Sequence, residues 1–268
     1  MSGLEKTPPR RMKSGMNRVG VTRFVLVVLI FVLWQASAHF EIINQFWISS
    51  PDQIVMEIWR LTVSGELVHD VAVTILEAFI AFVISAILGI ASGLILSRYP
   101  FWDEVLAPFV VVLNSLPRVA LAPLIILWFG VGIAAKVVTA FTLVYFILLV
   151  NTLSGAKNVD NDILTIARLM GASNRTLLRK VILPSAAPWI FAGLNLGLTY
   201  SLLGVIVAEI LASNQGLGYL IESAAGNFNT AGVFAGLIVL SAVTWLLSWL
   251  MRKIEARVLR WKPSIASA

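Results

Sequence analysis

The sequence predicts an all-α polytopic membrane protein with six transmembrane helices, and three observations carry that reading. Hydrophobic residues make up 59% of the chain and charged residues only 13%, whereas soluble domains are about 45–50% apolar and about 25% charged. The apolar residues gather into six stretches, each near the roughly 20 residues that a helix needs to cross the hydrocarbon core. Of the 20 Lys and Arg residues, 17 fall on one side of the resulting layout, the asymmetry expected of cytoplasmic loops and tails. Backbone groups in lipid must be satisfied within their own segment, so the stretches are read as helices. The strand-length alternation of a barrel is absent.

Residues 1–23 form a basic tail with Lys6, Arg10, Arg11, Lys13, Arg18 and Arg23. The first span covers 24–38 and closes on Ala36-Ser37-Ala38. Two readings of it stand side by side: a removable signal peptide, or a thin or tilted span continuing through Phe40. With the external segment after it, this unit runs to residue 66 and holds Glu41, Asp52, Glu57, Arg60 and Glu66. The transmembrane core is expected over 67–252, with spans at 71–96, 106–127, 135–153, 188–211 and 231–250. A basic tail, 253–268, ends the chain. The charge layout assigns both termini to the cytoplasm. The net charge of +6 is therefore a property of membrane flanks, not the mark of a nucleic-acid binder. With no cysteine, disulfides and thiolate sites are excluded. His39 and His69 lie near span ends and offer no histidine metal cluster.

The longest polar segment between spans, 157–187, is the informative one. Asp160, Asn161 and Asp162 are good N-cap residues. A short helix over 163–170 follows, and Gly171 is suited to its C′ stop. Ser173 caps a second short helix with Leu177, Leu178, Val181 and Ile182 on one face and Arg175, Arg179 and Lys180 on the other. Pro184 and Pro188 are expected to break the chain before the fifth span. Such a helix–Gly–helix unit serves as a handle for a soluble partner, or as an amphipathic pair lying on the headgroups.

The run Ala167-Arg168-Leu169-Met170-Gly171-Ala172-Ser173, then Val181-Ile182-Leu183-Pro184-Ser185-Ala186, resembles the cytoplasmic EAA loop of binding-protein-dependent ABC importer permeases. Thr165 and Ile166 stand where that pattern usually has Glu and Ala. Leu116-Pro117-Arg118-Val119-Ala120-Leu121-Ala122-Pro123, Leu127-Trp128-Phe129-Gly130-Val131-Gly132 and Gln215-Gly216-Leu217-Gly218-Tyr219-Leu220 are similar to the nitrate/sulfonate/taurine branch. The resemblance implies a type I permease fold working as a homodimer, with two copies of a separate ATPase and an external solute-binding protein. It implies that Ile163, Leu164, Ile166, Ala167, Met170 and Gly171 belong to a coupling helix seated on the ATPase. ATP and Mg would be bound by that partner, with no cofactor on this chain. A sulfonate, taurine or nitrate-like anion is the implied cargo, and a heterocyclic vitamin precursor is the alternative.

No lysine follows a glycine, so the phosphate-binding Gly-Lys pair is missing. GxSxG and HExxH are absent too, so an intramembrane hydrolase built on them is excluded. An ion-driven secondary transporter would show interrupted helices in repeated halves; no such repeat is seen. Candidate path residues are Arg118, Asn195, Thr199, Tyr200 and Glu209. Arg118 either attracts an anionic substrate or pairs with carbonyls that Pro117 and Pro123 free. Asn195 and Thr199 share a face at i, i+4 and line the path or bridge helices. Glu209 is an intramembrane functional carboxylate or an interfacial one facing a loop. Lys136 reads as a span-end anchor. Gln215–Gly218 reads as a gate at the outer mouth or as a plain turn. The Gly-x-x-x-Gly pairs at 89/93, 193/197 and 232/236 read as packing sites.

Overall fold

The computed structural model describes residues 15–40, 44 and 46–261, with side chains from residue 20 onward. The tail lysines and arginines at 6–13 and 262, with Glu41, lie outside the described residues; the side chain of Arg18 does too. Among the described residues the chain is helical throughout, with no strand. Five helices are long and apolar enough to cross a membrane, and the count reaches six when one bent helix pair is taken as a single span.

α1 (Gly15–His39) runs along the edge of the bundle, with Phe24 to Leu33 exposed as a lipid-facing surface. Only its end docks: Trp34 Nε1 donates to Ser49 O at 2.9 Å and its ring lies 5.9 Å from that of Phe234. The Ala36-Ser37-Ala38 stretch lies inside this helix, with Ala38 buried. α2 (Pro51–Val63) is a short amphipathic helix with Ile54 and Leu61 buried. α3 (Glu66–Arg98), α6 (Ile133–Lys157) and α9 (Leu183–Ala212) form the centre. Lipid is as apolar as leucine, so close packing must hold such helices together. A Cβ on Gly89 would lie 2.8 Å from Leu148 Cβ, and one on Gly93 would lie 2.7 Å from Thr152 Cβ. The four-residue step on α3 thus meets the same step on α6, as the glycine spacing predicts. Around this seam Phe82, Val144, Leu148 and Leu198 form one buried cluster, and Ala78, Ala81, Ala140, Leu202 and Val205 belong to the next.

The third crossing differs from the single span expected over 106–127. It is α4 (Pro100–Ser115), a 3-10 turn (Arg118–Leu121) and α5 (Ala122–Phe129), bent by 79° at the break. Leu116 precedes a proline and takes extended angles, φ −63° and ψ 138°. A residue before proline is pushed out of the helical region, and proline removes the next donor, so the helix cannot continue. None of the side chains of α4 is buried.

The expected proline break before the fifth span does not occur. α7 (Asn161–Leu169) and α8 (Asn174–Leu177) lead through a π-helical turn (Leu178–Ile182) straight into α9. Pro184 follows the π-helical turn, in which Leu183 N already reaches back to Leu178 O, so its missing N–H falls where the hydrogen-bond ladder has shifted, and Pro188 lies inside α9 without ending it. α10 (Leu217–Gly226) and α11 (Thr230–Val258) complete the chain, and Leu217 and Leu220 pack with Leu61 and Leu67.

Candidate functional site

Two ends of the bundle carry the polar chemistry. At one end, α3 begins, α9 finishes and α10 starts. Asp70, Thr74 and Glu77 follow i, i+4, i+7 spacing, and all three are buried. Glu209 of α9 is 1% exposed. The first amides of α10 point at these groups. Gly216 N donates to Asp70 Oδ1 at 2.8 Å, Leu217 N to Thr74 Oγ1 at 2.9 Å, and Gly218 N to Glu209 Oε2 at 2.7 Å. Thr74 Oγ1 in turn donates to Glu209 Oε1 at 2.8 Å. A helix N-terminus offers unpaired N–H groups and a partial positive charge, so buried carboxylates are natural partners for it. Beside them Lys136, 3% exposed, donates to Glu77 Oε1 at 2.9 Å, and Glu77 Oε2 has no partner.

The glycines of Gln215-Gly216-Leu217-Gly218 have a steric cause. Gly216 has φ +107°, and a Cβ there would collide with the Glu209 carboxylate. One on Gly218 would lie 2.6 Å from Ile206 O. The motif is a tight seat for a carboxylate.

At the bend of the third crossing, Arg118 is 8% exposed. It donates to Leu143 O at 3.3 Å, Leu113 O at 3.2 Å and Asn114 Oδ1 at 2.7 Å, and its guanidinium lies 4.8 Å over the Phe146 ring. Its donors thus reach one carbonyl before the break and one on α6, while Nε is left without a partner. Asn195 Nδ2 donates to Glu255 Oε2 at 2.7 Å and ties α9 to α11. Thr199 and Tyr200 are exposed on α9, so the i, i+4 pair Asn195 and Thr199 is split between a helix bridge and an open face.

At the other end sits the loop pair. The Asp160 carboxylate accepts from Asp162 N at 2.8 Å and caps α7. Gly171 takes φ +79° after it, and the Ser173 hydroxyl accepts from Thr176 N at 3.2 Å to cap α8. Ile163 and Ile166 are more than half exposed, while Leu169 and Met170 are each 83% exposed. Leu164 and Ala167 are half-buried on the inner side.

The structure departs from the sequence expectation at Lys136 and adds several residues to the site. Glu209 is a buried carboxylate set against the Gln215–Gly218 turn and enclosed by α3 and α10, because the returning chain brings amide donors to it. Lys136 does not snorkel; Glu77 holds it inside. Asp70, Thr74 and Glu77 were not candidates, although their spacing on one helix face was a readable signal. Leu169 was likewise left out of the coupling set, and it is as exposed as Met170.

The profile of the binding-protein-dependent transport system inner membrane component matches residues 81–260. The chain belongs to this family. The putative aliphatic sulfonates transport permease protein SsuC of Bacillus subtilis (strain 168) is 31% identical over 95% of this chain and 92% of its own length. The riboflavin transport system permease protein RibX of Chloroflexus aurantiacus (strain ATCC 29366 / DSM 635 / J-10-fl) is 32% identical over 90% of each. The fold matches an inward-facing crystal form of the MetNI methionine ABC transporter, with TM-score 0.60 and 18% identity over 70% of this chain and 91% of that one. This chain is accordingly a multi-pass inner-membrane permease subunit of an ABC importer, as the loop and branch motifs implied.

Proposed function

We propose that the chain pairs with a second copy of itself to form the translocation path for a small organic anion of the sulfonate class. Two separate ATPase subunits drive it from the face that carries α7, and an external solute-binding protein delivers cargo to the opposite face. Both termini and the α7–α8 loop then lie in the cytoplasm, in keeping with the excess of Lys and Arg there. ATP and Mg belong to the ATPase, and this chain carries neither.

One observation carries the proposal. α7 stands on the basic side of the bundle and turns its apolar side chains outward, with Met170 83% exposed. An isolated apolar face of this kind is costly in water and marks a docking surface. Ile163, Ile166 and Met170, with Leu169, make the contact; Gly171 ends the helix, and Leu164 and Ala167 join it to the bundle. The unburied α4 with the adjoining bend supports the pairing of two copies, since it offers a continuous apolar surface beside the break. Thr199 and Tyr200, exposed on α9, line the path in this reading. Arg118, Asn195 and Glu209 shape it by fixing helices rather than by touching cargo, since all but Arg118 Nε of their named polar atoms are engaged within the chain.

The similarity to the sulfonate permease supports the cargo class. The riboflavin permease is as similar, and it favours a heterocyclic vitamin or vitamin precursor as the second reading. Affinity purification of the chain from its own cells is expected to bring down an ATPase in equal number, with uptake that stops when the phosphate-binding lysine of that partner is replaced. Active transport by the chain with no nucleotide-hydrolysing companion would overturn the proposal.

A further inference from the structure

A cavity of 410 Å³ lies between the end of α3 and the α7–α8 pair. Its polar wall is made by Ser97, Arg98 and Tyr99 on one side and by Arg168 and Asn174 on the other. No carboxylate lines it. Its apolar wall comes from Ala156, Leu164, Leu177, Leu178 and Ile182. Neither Arg98 nor Arg168 takes part in a salt bridge among the described residues, whereas nearby Lys157 is taken by Asp103.

Arg98 and Arg168 are both exposed at the rim of this cavity with no acid among its lining residues, so an oxyanion seated in it meets two cations and no competing carboxylate. Arginine binds phosphate through two parallel N–H donors, which suits a tetrahedral oxyanion. The aliphatic wall selects among oxyanions. A free hydrated phosphate gains nothing beside leucine, while a phosphodiester carrying acyl chains buries apolar surface there. The level of the cavity points the same way. Tyr99, Phe101 and Trp102 are 51%, 68% and 54% exposed beside it, and exposed aromatic side chains of this kind mark the membrane–water interface.

We propose that this cavity binds the phosphate of an anionic phospholipid between Arg98 and Arg168. Leu164 and Arg168 give the inner face of α7 to the lipid, while Ile163, Ile166 and Met170 remain on the outer face. The lipid then clips α7 to the bundle. The site stands on its own; only the consequence for drive by the ATPase rests on the docking role given to α7 above.

The test uses the full permease with its ATPase in nanodiscs of phosphatidylcholine containing added phosphatidylglycerol. Native mass spectrometry counts the phosphatidylglycerol retained after mild delipidation. Arg98→Gln with Arg168→Gln is expected to lower retention about thirtyfold, in line with the worth of two basic groups at a membrane surface. Arg175→Gln with Arg179→Gln removes the same amount of charge from α8 and the π-helical turn, outside the cavity lining, and is expected to leave retention at the wild-type level. Equal losses in the two double variants would reduce the effect to diffuse surface charge and overturn the site. A parallel arm adds inorganic phosphate to lipid-depleted protein. Heat stabilisation by phosphate that needs both arginines, with none from phosphatidylglycerol, would overturn the lipid assignment. Should the double variant fail to assemble, Arg98→Gln alone is expected to lower retention about fivefold, and wild-type retention in it would overturn the proposal.

Discussion

The two ends of this bundle solve opposite problems. Where α3, α9 and α10 meet, Asp70 and Glu209 are drawn inside and matched to backbone amides while Glu77 is matched to Lys136, so little polar capacity faces outward. At α7 the caps are satisfied locally, and the apolar side chains are the ones left facing outward. A polar group buried in lipid must find a partner or exact a large penalty. An apolar group held in water beyond the bilayer is costly in the reverse sense. The first end is therefore a closed lock between helices, and the second is an incomplete surface awaiting a partner.

Breaking the lock gives the largest expected effect. Lys136→Met strands the Glu77 carboxylate in the interior, and the loss of one partner from a buried ion pair costs about 3–5 kcal/mol. Thermal unfolding in detergent reads it. Adding Glu77→Leu to the same chain recovers most of the loss, because an apolar pair of similar volume replaces an ion pair at little cost. A double variant as unstable as the single one would show that Lys136 serves groups other than Glu77.

The exposed end predicts the converse. Met170→Asp leaves folding intact, since the side chain is 83% exposed. It weakens ATPase association by about thirtyfold if Met170 is a central contact worth ~2 kcal/mol. Quantitative co-purification checks it, and unchanged association would remove Met170 from the docking face.

A smaller effect sharpens the comparison at the α2–α11 corner, outside the crossing helices. Glu57 accepts from Arg60 Nη2 at 2.7 Å and from Asn229 Nδ2 at 2.9 Å. These donors, Arg60 foremost, hold the Glu57 carboxyl below its ordinary range. A depressed carboxyl contributes stability that is complete above the unfolded pKa and is lost as pH falls through the folded one. Hydrogen exchange of α2 should therefore stay slow at neutral pH and quicken only under acid conditions below the usual carboxylate range. Asn229→Ala should move that onset to higher pH, and an unmoved onset would show that Asn229 does not hold the charge.

Much of the molecule was legible in the sequence, because its constraints are local or compositional. Six apolar stretches, the capped unit from Asp160 to Ser173 and the Gly89/Gly93 seam each follow from spacing alone. What was missed depends on chain segments that meet only after folding. Glu209 is 135 residues from Thr74, and Lys136 is 59 from Glu77. Lys136 reads as a span-end anchor, and Glu209 as either an intramembrane or an interfacial carboxylate, until the partner of each is in place. The prolines were misjudged in both directions. Pro117 stands where no neighbouring turn absorbs the lost donor, and the crossing bends by 79°. Pro184 stands behind a π-helical turn at a helix start, and the helix passes through.

Since the chain has no cysteine of its own, a single one can report on α7 without background. Met170→Cys, labelled with a thiol-reactive photocrosslinker in inner-membrane vesicles, tests whether this short helix is where the ATPase takes hold. A covalent adduct between the two chains is predicted, with none from Trp245→Cys on the 64% exposed flank of α11. Adducts to lipid alone from position 170, or equal ATPase adducts from both positions, would contradict it.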